Sequence, residues 1–179
     1  MNSDDFPRKG SAIYSLTKGT KRDIKLTLSR WKTMNKIVVP LYRVGLLPLL
    51  GLGRIFLLIT TKGRRTGKIR VNPLEYRVKD GVIHVFSGRG VEADWYRNML
   101  RDPDSVRVRV GFRCFKPRVR IVTNPSEKEE ILRWYVRKYP RDAGFLVGWD
   151  SRHDDPYSTD IGSLNELIQV VKLEEDNTN

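Results

Sequence analysis

RIFLLITTKGRRTGKIRVNPLEY, residues 54–76, is the stretch whose reading decides the fold. Two apolar, β-prone runs, Ile55 to Thr61 and Ile69 to Tyr76, flank a basic loop bounded by Gly63 and Gly67, which is the pattern of a β-hairpin. Lys62, Arg64, Arg65, Lys68 and Arg70 crowd into nine residues, and Thr60, Thr61 and Thr66 add hydroxyls. Guanidinium and ammonium groups beside hydroxyls and free N–H groups suit a phosphate or a polycarboxylate. The hairpin therefore reads as an anion cradle.

It is not a Walker loop. Only three residues separate Gly63 from Gly67-Lys68, and Ile69 stands where a magnesium-binding Ser or Thr is required. On these residues alone, a solvated turn that happens to be basic competes evenly with the cradle.

The chain has 179 residues, enough for one domain with a sizeable core. Its 34 Lys and Arg against 21 Asp and Glu give a net charge of +13, so acidic partners are expected. Residues 1–70 hold 16 basic and 3 acidic side chains, and residues 71–179 hold 18 of each, so the excess lies at or before the hairpin. One cysteine, Cys114, excludes an internal disulfide and a multi-cysteine metal site, which fits a reducing compartment. The first ten residues lack the apolar core of a signal peptide, and a cytoplasmic location, extending to the inner face of the membrane, is expected.

Residues 1–20 read as a loose arm and 21–53 as a helical region. Within the latter, Ile24, Leu28, Trp31 and Val38 share one face of a basic amphipathic helix, Lys21 to Val39, and a short helix follows around Pro40 to Leu47. Such a basic helix either lies on an anionic membrane or caps a core, and capping is the commoner. Residues 37–59 are apolar but broken by Pro40, Pro48, Arg43, Arg54 and glycines, which argues against a membrane span.

Residues 54–174 carry strand signals interrupted by helices. Val82 to Phe86 is a strand leading into the small loop Ser87-Gly88-Arg89-Gly90, and a helix follows through Asp94-Trp95-Tyr96-Arg97-Asn98 to Arg101. Val106 to Val110 and Phe112 to Val122 alternate with outward Arg and Lys, the pattern of a solvated sheet face. Ser126 with Glu129 marks a capping box, Pro140 a helix end, and Leu167 to Leu173 a last strand before an acidic tail, 175–179. About six strands joined mainly by hairpins predict an α+β, mainly β architecture: a split antiparallel barrel with helices outside.

Four motifs in this order carry a family resemblance: Pro40-Leu-Tyr-Arg-Val-Gly-Leu46, the Thr-Thr-Lys-Gly-Arg-Arg-Thr-Gly-Lys hairpin, the Ser-Gly-Arg-Gly loop, and Asp94-Trp-Tyr-Arg-Asn-Met-Leu-Arg-Asp-Pro103. Together they resemble the deazaflavin-dependent nitroreductase family, a branch of the FMN-binding split-barrel oxidoreductases. The resemblance implies binding of reduced coenzyme F420, with FMN as the alternative cofactor, and hydride transfer to an electron-poor quinone, enone or nitroaromatic compound. It places Lys62, Arg64, Arg65 and Lys68 at the cofactor phosphate and tail, and Asn72, Pro73 and Leu74 beside the deazaflavin ring. It also places Ser87, Gly88, Arg89 and Gly90 at the loop that hydrogen-bonds the ring, and Trp95 and Asn98 on the helix closing over it. The cofactor then carries the reaction, so no catalytic side chain and no metal are expected.

The sequence departs from the family in two places. Many members read Ser-Lys-Gly-Gly at the ring loop, and the tyrosine-rich pocket segment of some relatives is replaced after Tyr139-Pro140 by Arg-Asp-Ala-Gly-Phe-Leu-Val-Gly. Trp95 competes between ring contact and core packing, Tyr96 reads as core, and Asn98 has a capping or packing alternative. His84 and His153 lack a partner at ligand spacing. Two further function classes stand beside the oxidoreductase: a membrane-peripheral binder of lipid, tetrapyrrole or flavin without turnover, and a nucleic-acid-binding protein, the latter disfavoured because no nucleic-acid motif accompanies the charge. Monomer and homodimer are both compatible with the sequence.

Overall fold

The structure is a computed structural model describing residues 6–175; the acidic tail beyond residue 175 lies outside the described residues. The chain divides into two compact units. One holds the chain up to Arg30, Gly88–Gly90 and Val122–Gln169; the other holds Trp31–Ser87, Val91–Ile121 and the chain from Val170 onward. Helices are α1 (Ala12–Thr17), α2 (Lys21–Arg43), α3 (Leu46–Leu49), α4 (Asp94–Arg101), α5 (Pro125–Lys138), α6 (Pro140–Val147) and α7 (Gly162–Leu167). Strands are β1 (Phe56–Lys62), β2 (Ile69–Lys79), β3 (Val82–Ser87), β4 (Arg107–Val110), β5 (Arg113–Phe115), β6 (Pro117–Ile121) and β7 (Gln169–Glu175).

The second unit contains a seven-stranded sheet of order β5-β4-β1-β2-β3-β7-β6. Antiparallel ladders join β1 to β2 and β4, β2 to β3, β4 to β5, and β6 to β7. β5 and β6 stand at opposite ends of this order, yet Lys116 alone separates them in sequence. The sheet must therefore curl until its two edges meet, and Arg113 of β5 forms an ion pair with Glu175 of β7 across that seam. The strand β2 makes the split: Ile69–Glu75 pairs with β1, then Tyr76–Lys79 pairs with β3. Tyr76 donates its N–H to the Ile55 carbonyl at 3.1 Å, so Pro73, three positions earlier, turns its missing donor away from β1 toward the side that β3 does not reach. This is the expected split-barrel α+β fold.

Residues of the central strands turn inward to the core. Leu57, Ile59, Tyr76, Val85, Val108, Val171 and Leu173 form the core, and α4 packs Trp95, Tyr96 and Met99 onto it. The sheet has seven strands where six were expected, because the run Phe112 to Val122 is two strands. Gly111 turns at φ +60°, and Pro117, lacking an N–H, opens a new strand.

Several local expectations are corrected. The helix expected to stop before Pro40 continues through it to Arg43 as part of α2, with the Val44 N–H to Pro40 carbonyl bond intact at 3.0 Å, and the next helix, α3, begins only at Leu46. Asn124, not Ser126, caps α5: its Oδ1 accepts the N–H groups of Ser126 and Glu127, with Pro125 in the first turn, and Glu129 instead pairs with Arg133 one turn on. Pro140 opens α6 rather than only ending α5.

Of the arm expected over residues 1–20, the first five lie outside the described residues, and residues 6–20 are ordered within the first unit. Ser11 caps α1, Ile13 is fully buried, and Phe6 stacks on Trp149 with ring centroids 5.7 Å apart. Arg8 grips the buried Asp154 carboxylate with two hydrogen bonds of 2.6 and 2.7 Å. Burial pushes that carboxyl up, but the Arg8 bonds and the Asp150 N–H bond of 2.7 Å together hold it below the usual carboxylate range. Among the described residues no helix is long and apolar enough to cross a membrane.

Candidate functional site

The β1–β2 hairpin forms as read. The ladder closes at Lys62 opposite Ile69, and the tip is tied by Gly63 N–H to the Lys68 carbonyl at 2.8 Å and Gly67 N–H to the Gly63 carbonyl at 2.8 Å. Gly67 turns at φ +66°, a conformation that glycine adopts without cost. Lys62, Arg65, Lys68 and Arg70 are exposed, and among the described residues none of the four is in an ion pair. Four unpaired cations on one tight loop hold a high positive potential that costs self-repulsion until an anion arrives.

Arg64 behaves differently. Asn98, buried on α4, accepts the Arg64 backbone N–H at 3.1 Å and its Nη1 at 3.2 Å through Oδ1, and Nδ2 of the same amide donates to the buried Thr61 Oγ1 at 3.4 Å. Asp94, at the start of the same helix, accepts from Arg64 Nη1 at 2.9 Å. Asn98 thus ties the hairpin tip to α4, and Arg64 is half-buried with its charge partly offset. Thr61, expected to offer its hydroxyl to the cradle, is instead fully buried and spends it on Asn98; the sequence did not single out Asp94 as a site residue, and the one available signal was an acid at the first position of α4.

Trp95 lies in the core, with 7% of its surface accessible, edge-to-face against Tyr96 at 5.8 Å between centroids. The structure gives it a packing role. Asn72, Pro73 and Leu74 sit half-buried on β2, and Leu74 packs against the core. Ser87 is buried at the end of β3.

Gly88, Arg89 and Gly90 belong to the first unit. A Cβ on Gly88 would lie 3.3 Å from Ile13 Cγ1, and one on Gly90, at φ +53°, only 2.7 Å from the Leu167 carbonyl oxygen. Gly90 is therefore required by packing within that unit, whatever else the loop does, whereas a side chain at Gly88 would need Ile13 to give by a few tenths of an ångström. Arg89 is half-buried.

His84 is buried on β3 with Nδ1 3.0 Å from the Val82 carbonyl oxygen; burial pushes its pKa down, and the positive charges of Lys172 and Lys79 add to this. His153 is exposed beside Asp150.

A curled, split antiparallel barrel with a cation-bearing β-hairpin places the chain in the split-barrel class of α+β proteins. The family model described as "F420H(2)-dependent quinone reductase" matches residues 47–147, more than half of the sequence. The chain belongs to this family: it is an oxidoreductase, and coenzyme F420 is its cofactor. Among solved structures, the chain is similar to an F420-H2 dependent reductase (FDR-A) at 25% identity, covering 68% of this chain and 95% of that one with a TM-score of 0.46. A structure described as a domain-swapped dimer matches at 25% identity over 68% of this chain and 81% of that one, TM-score 0.46. A NimC/NimA family protein from Clostridium acetobutylicum matches at 15% identity over 75% and 82%, TM-score 0.44. The curated proteins contain no match.

Proposed function

We propose that the chain reduces an electron-poor organic acceptor of the quinone type with hydride from reduced F420, and that the β1–β2 hairpin is where the cofactor's anionic end is held. The observation carrying this reading is the division of labour in the hairpin: Asn98 and Asp94 fix Arg64, while Lys62, Arg65 and Lys68 stay exposed on a loop whose backbone is held rigid. This donor set fits a phosphate with a tail of carboxylates, since each exposed cation can take one anionic group without breaking an existing pair.

When bound, reduced F420 supplies a hydride, and a quinone accepting it with one proton becomes the hydroquinone. The chain contributes binding and orientation. Lys62, Arg65 and Lys68 hold the anionic end, Asn98 keeps the loop that carries them in register, and Trp95 with Met99 keeps α4 seated on the barrel so that Asn98 stays in place. No side chain is required as nucleophile or base at the reacting atoms.

The test is oxidation of reduced F420 by the purified protein, followed by absorbance, with a water-soluble naphthoquinone, a cyclic enone and a nitroaromatic compound compared. Turnover fastest with the quinone supports the acceptor class. Turnover with the nitroaromatic or the enone but not the quinone would remove it while leaving the cofactor reading intact.

A further inference from the structure

We propose that the barrel end opposite the cradle is a membrane-docking surface: the loop Val44–Leu50 and Phe112 insert into the interface of an anionic phospholipid bilayer. Val44, Leu46, Leu49, Leu50 and Phe112 are 76, 46, 75, 69 and 63% exposed. Five large apolar side chains left in water on two adjacent turns form a contiguous patch of the kind that marks an interaction surface.

The patch is one rigid feature. The Phe112 ring lies over Gly45, where a Cβ would sit 2.9 Å from Cε1, and the Cα of Gly111 stands 3.0 Å from where a Cβ on Gly53 would be. Tyr42 locks both turns to the barrel, its hydroxyl accepting from Gly111 N–H at 2.7 Å and donating to the Phe56 carbonyl at 2.8 Å. Arg109 Nη1 adds a bond of 3.0 Å to the Arg43 carbonyl. Insertion would therefore require no refolding of the loop.

Charge selects a lipid surface over other apolar partners. From residue 24 to residue 74 the chain has no acidic residue and eleven Lys or Arg. Arg43 and Arg54 flank the patch, are exposed, and are in no ion pair among the described residues. An apolar tip within a basic collar, with Glu75 at that end of the ladder already paired to Arg77, is complementary to an anionic bilayer, where apolar burial and headgroup attraction act together.

The ladder register gives the orientation. Phe56 opposite Glu75, and Leu57 opposite Val110, stand at the patch end of β1; Lys62 opposite Ile69 stands at the cradle end, about 20 Å away along seven strand residues. Docking by this end leaves the cradle facing water, where a polyanionic ligand would arrive. The docking proposal does not depend on what the cradle binds.

Co-sedimentation of the full chain with vesicles of phosphatidylglycerol and phosphatidylcholine, and of phosphatidylcholine alone, tests it. Binding to the anionic vesicles is expected, reduced at least tenfold by the pair Leu49→Asp, Leu50→Asp, and made insensitive to vesicle charge by the pair Arg43→Ala, Arg54→Ala, with F420 affinity unchanged in both. As a check that survives misfolding of the aspartate pair, Leu50→Cys carrying an environment-sensitive dye in a Cys114→Ser background should shift to the blue with anionic vesicles. No vesicle binding by the unaltered chain, undiminished binding by the aspartate pair, an unshifted dye, or a stable dimer that the aspartate pair dissociates would each overturn the proposal.

Discussion

Asn98 Oδ1 bonds Arg64 twice, to the backbone N–H at 3.1 Å and to Nη1 at 3.2 Å, so one buried amide on α4 sets the tip of the β1–β2 hairpin. Removing it leaves the Arg64 N–H and Thr61 hydroxyl without their partner. Asn98→Ala is expected to lower stability by about 1–3 kcal/mol and to weaken F420 binding through a mobile hairpin. Chemical denaturation and cofactor titration on the same preparation check both; an Asn98→Ala variant with normal stability and normal affinity would remove the amide from this role.

Asp94 holds part of the Arg64 charge from an exposed position. Asp94→Asn frees that guanidinium and deletes a negative charge near the cradle. Tighter binding of F420, by a factor of about two to five, is the expected result, in keeping with the small worth of an exposed pair. Weaker binding would mean that the cofactor needs Arg64 held by the Asp94 charge and that Asn98 alone does not suffice.

Trp95 separates packing from ring contact. Its near-complete burial predicts that Trp95→Ala destabilises the chain by about 3–5 kcal/mol, with affinity falling only as the folded fraction falls. A variant of unchanged stability that loses the cofactor would restore a direct contact.

His84 gives the pH dependence. Burial holds its folded pKa below the usual 6.5, so below about pH 6.5 the unfolded chain takes up a proton that the folded chain does not. The unfolded state then binds more protons, and stability is full above that pH and declines as pH falls. Urea midpoints measured between pH 8 and pH 5 should show the decline, and His84→Gln should flatten it.

The hairpin, the strand alternation and the motif order were legible in the sequence because each is local: a turn bounded by Gly63 and Gly67, period-two burial, and spacing along one chain. What was not legible depends on partners distant in sequence. The Arg8–Asp154 pair that orders the N-terminal segment spans 146 residues, and no local signal in the first twenty residues announces it. Likewise Gly90 reads as part of a ligand loop, yet the Leu167 carbonyl explains it by close packing. The Ser126 capping-box pattern failed because the helix starts earlier: Asn124 is the cap and takes the Ser126 and Glu127 N–H groups, which leaves Ser126 inside the first turn.

The hairpin as the cofactor's anion cradle is tested most directly by calorimetric titration of the protein with reduced F420 at two salt concentrations, for the unaltered chain and for Lys62→Ala, Arg65→Ala. Two exposed, unpaired cations are removed without touching the Asn98 network, so the fold should be unchanged. Salt-weakened binding in the unaltered chain, falling sharply in the double variant with its melting temperature unchanged, is the expected result. Equal affinity in both proteins, or binding indifferent to salt, would contradict it.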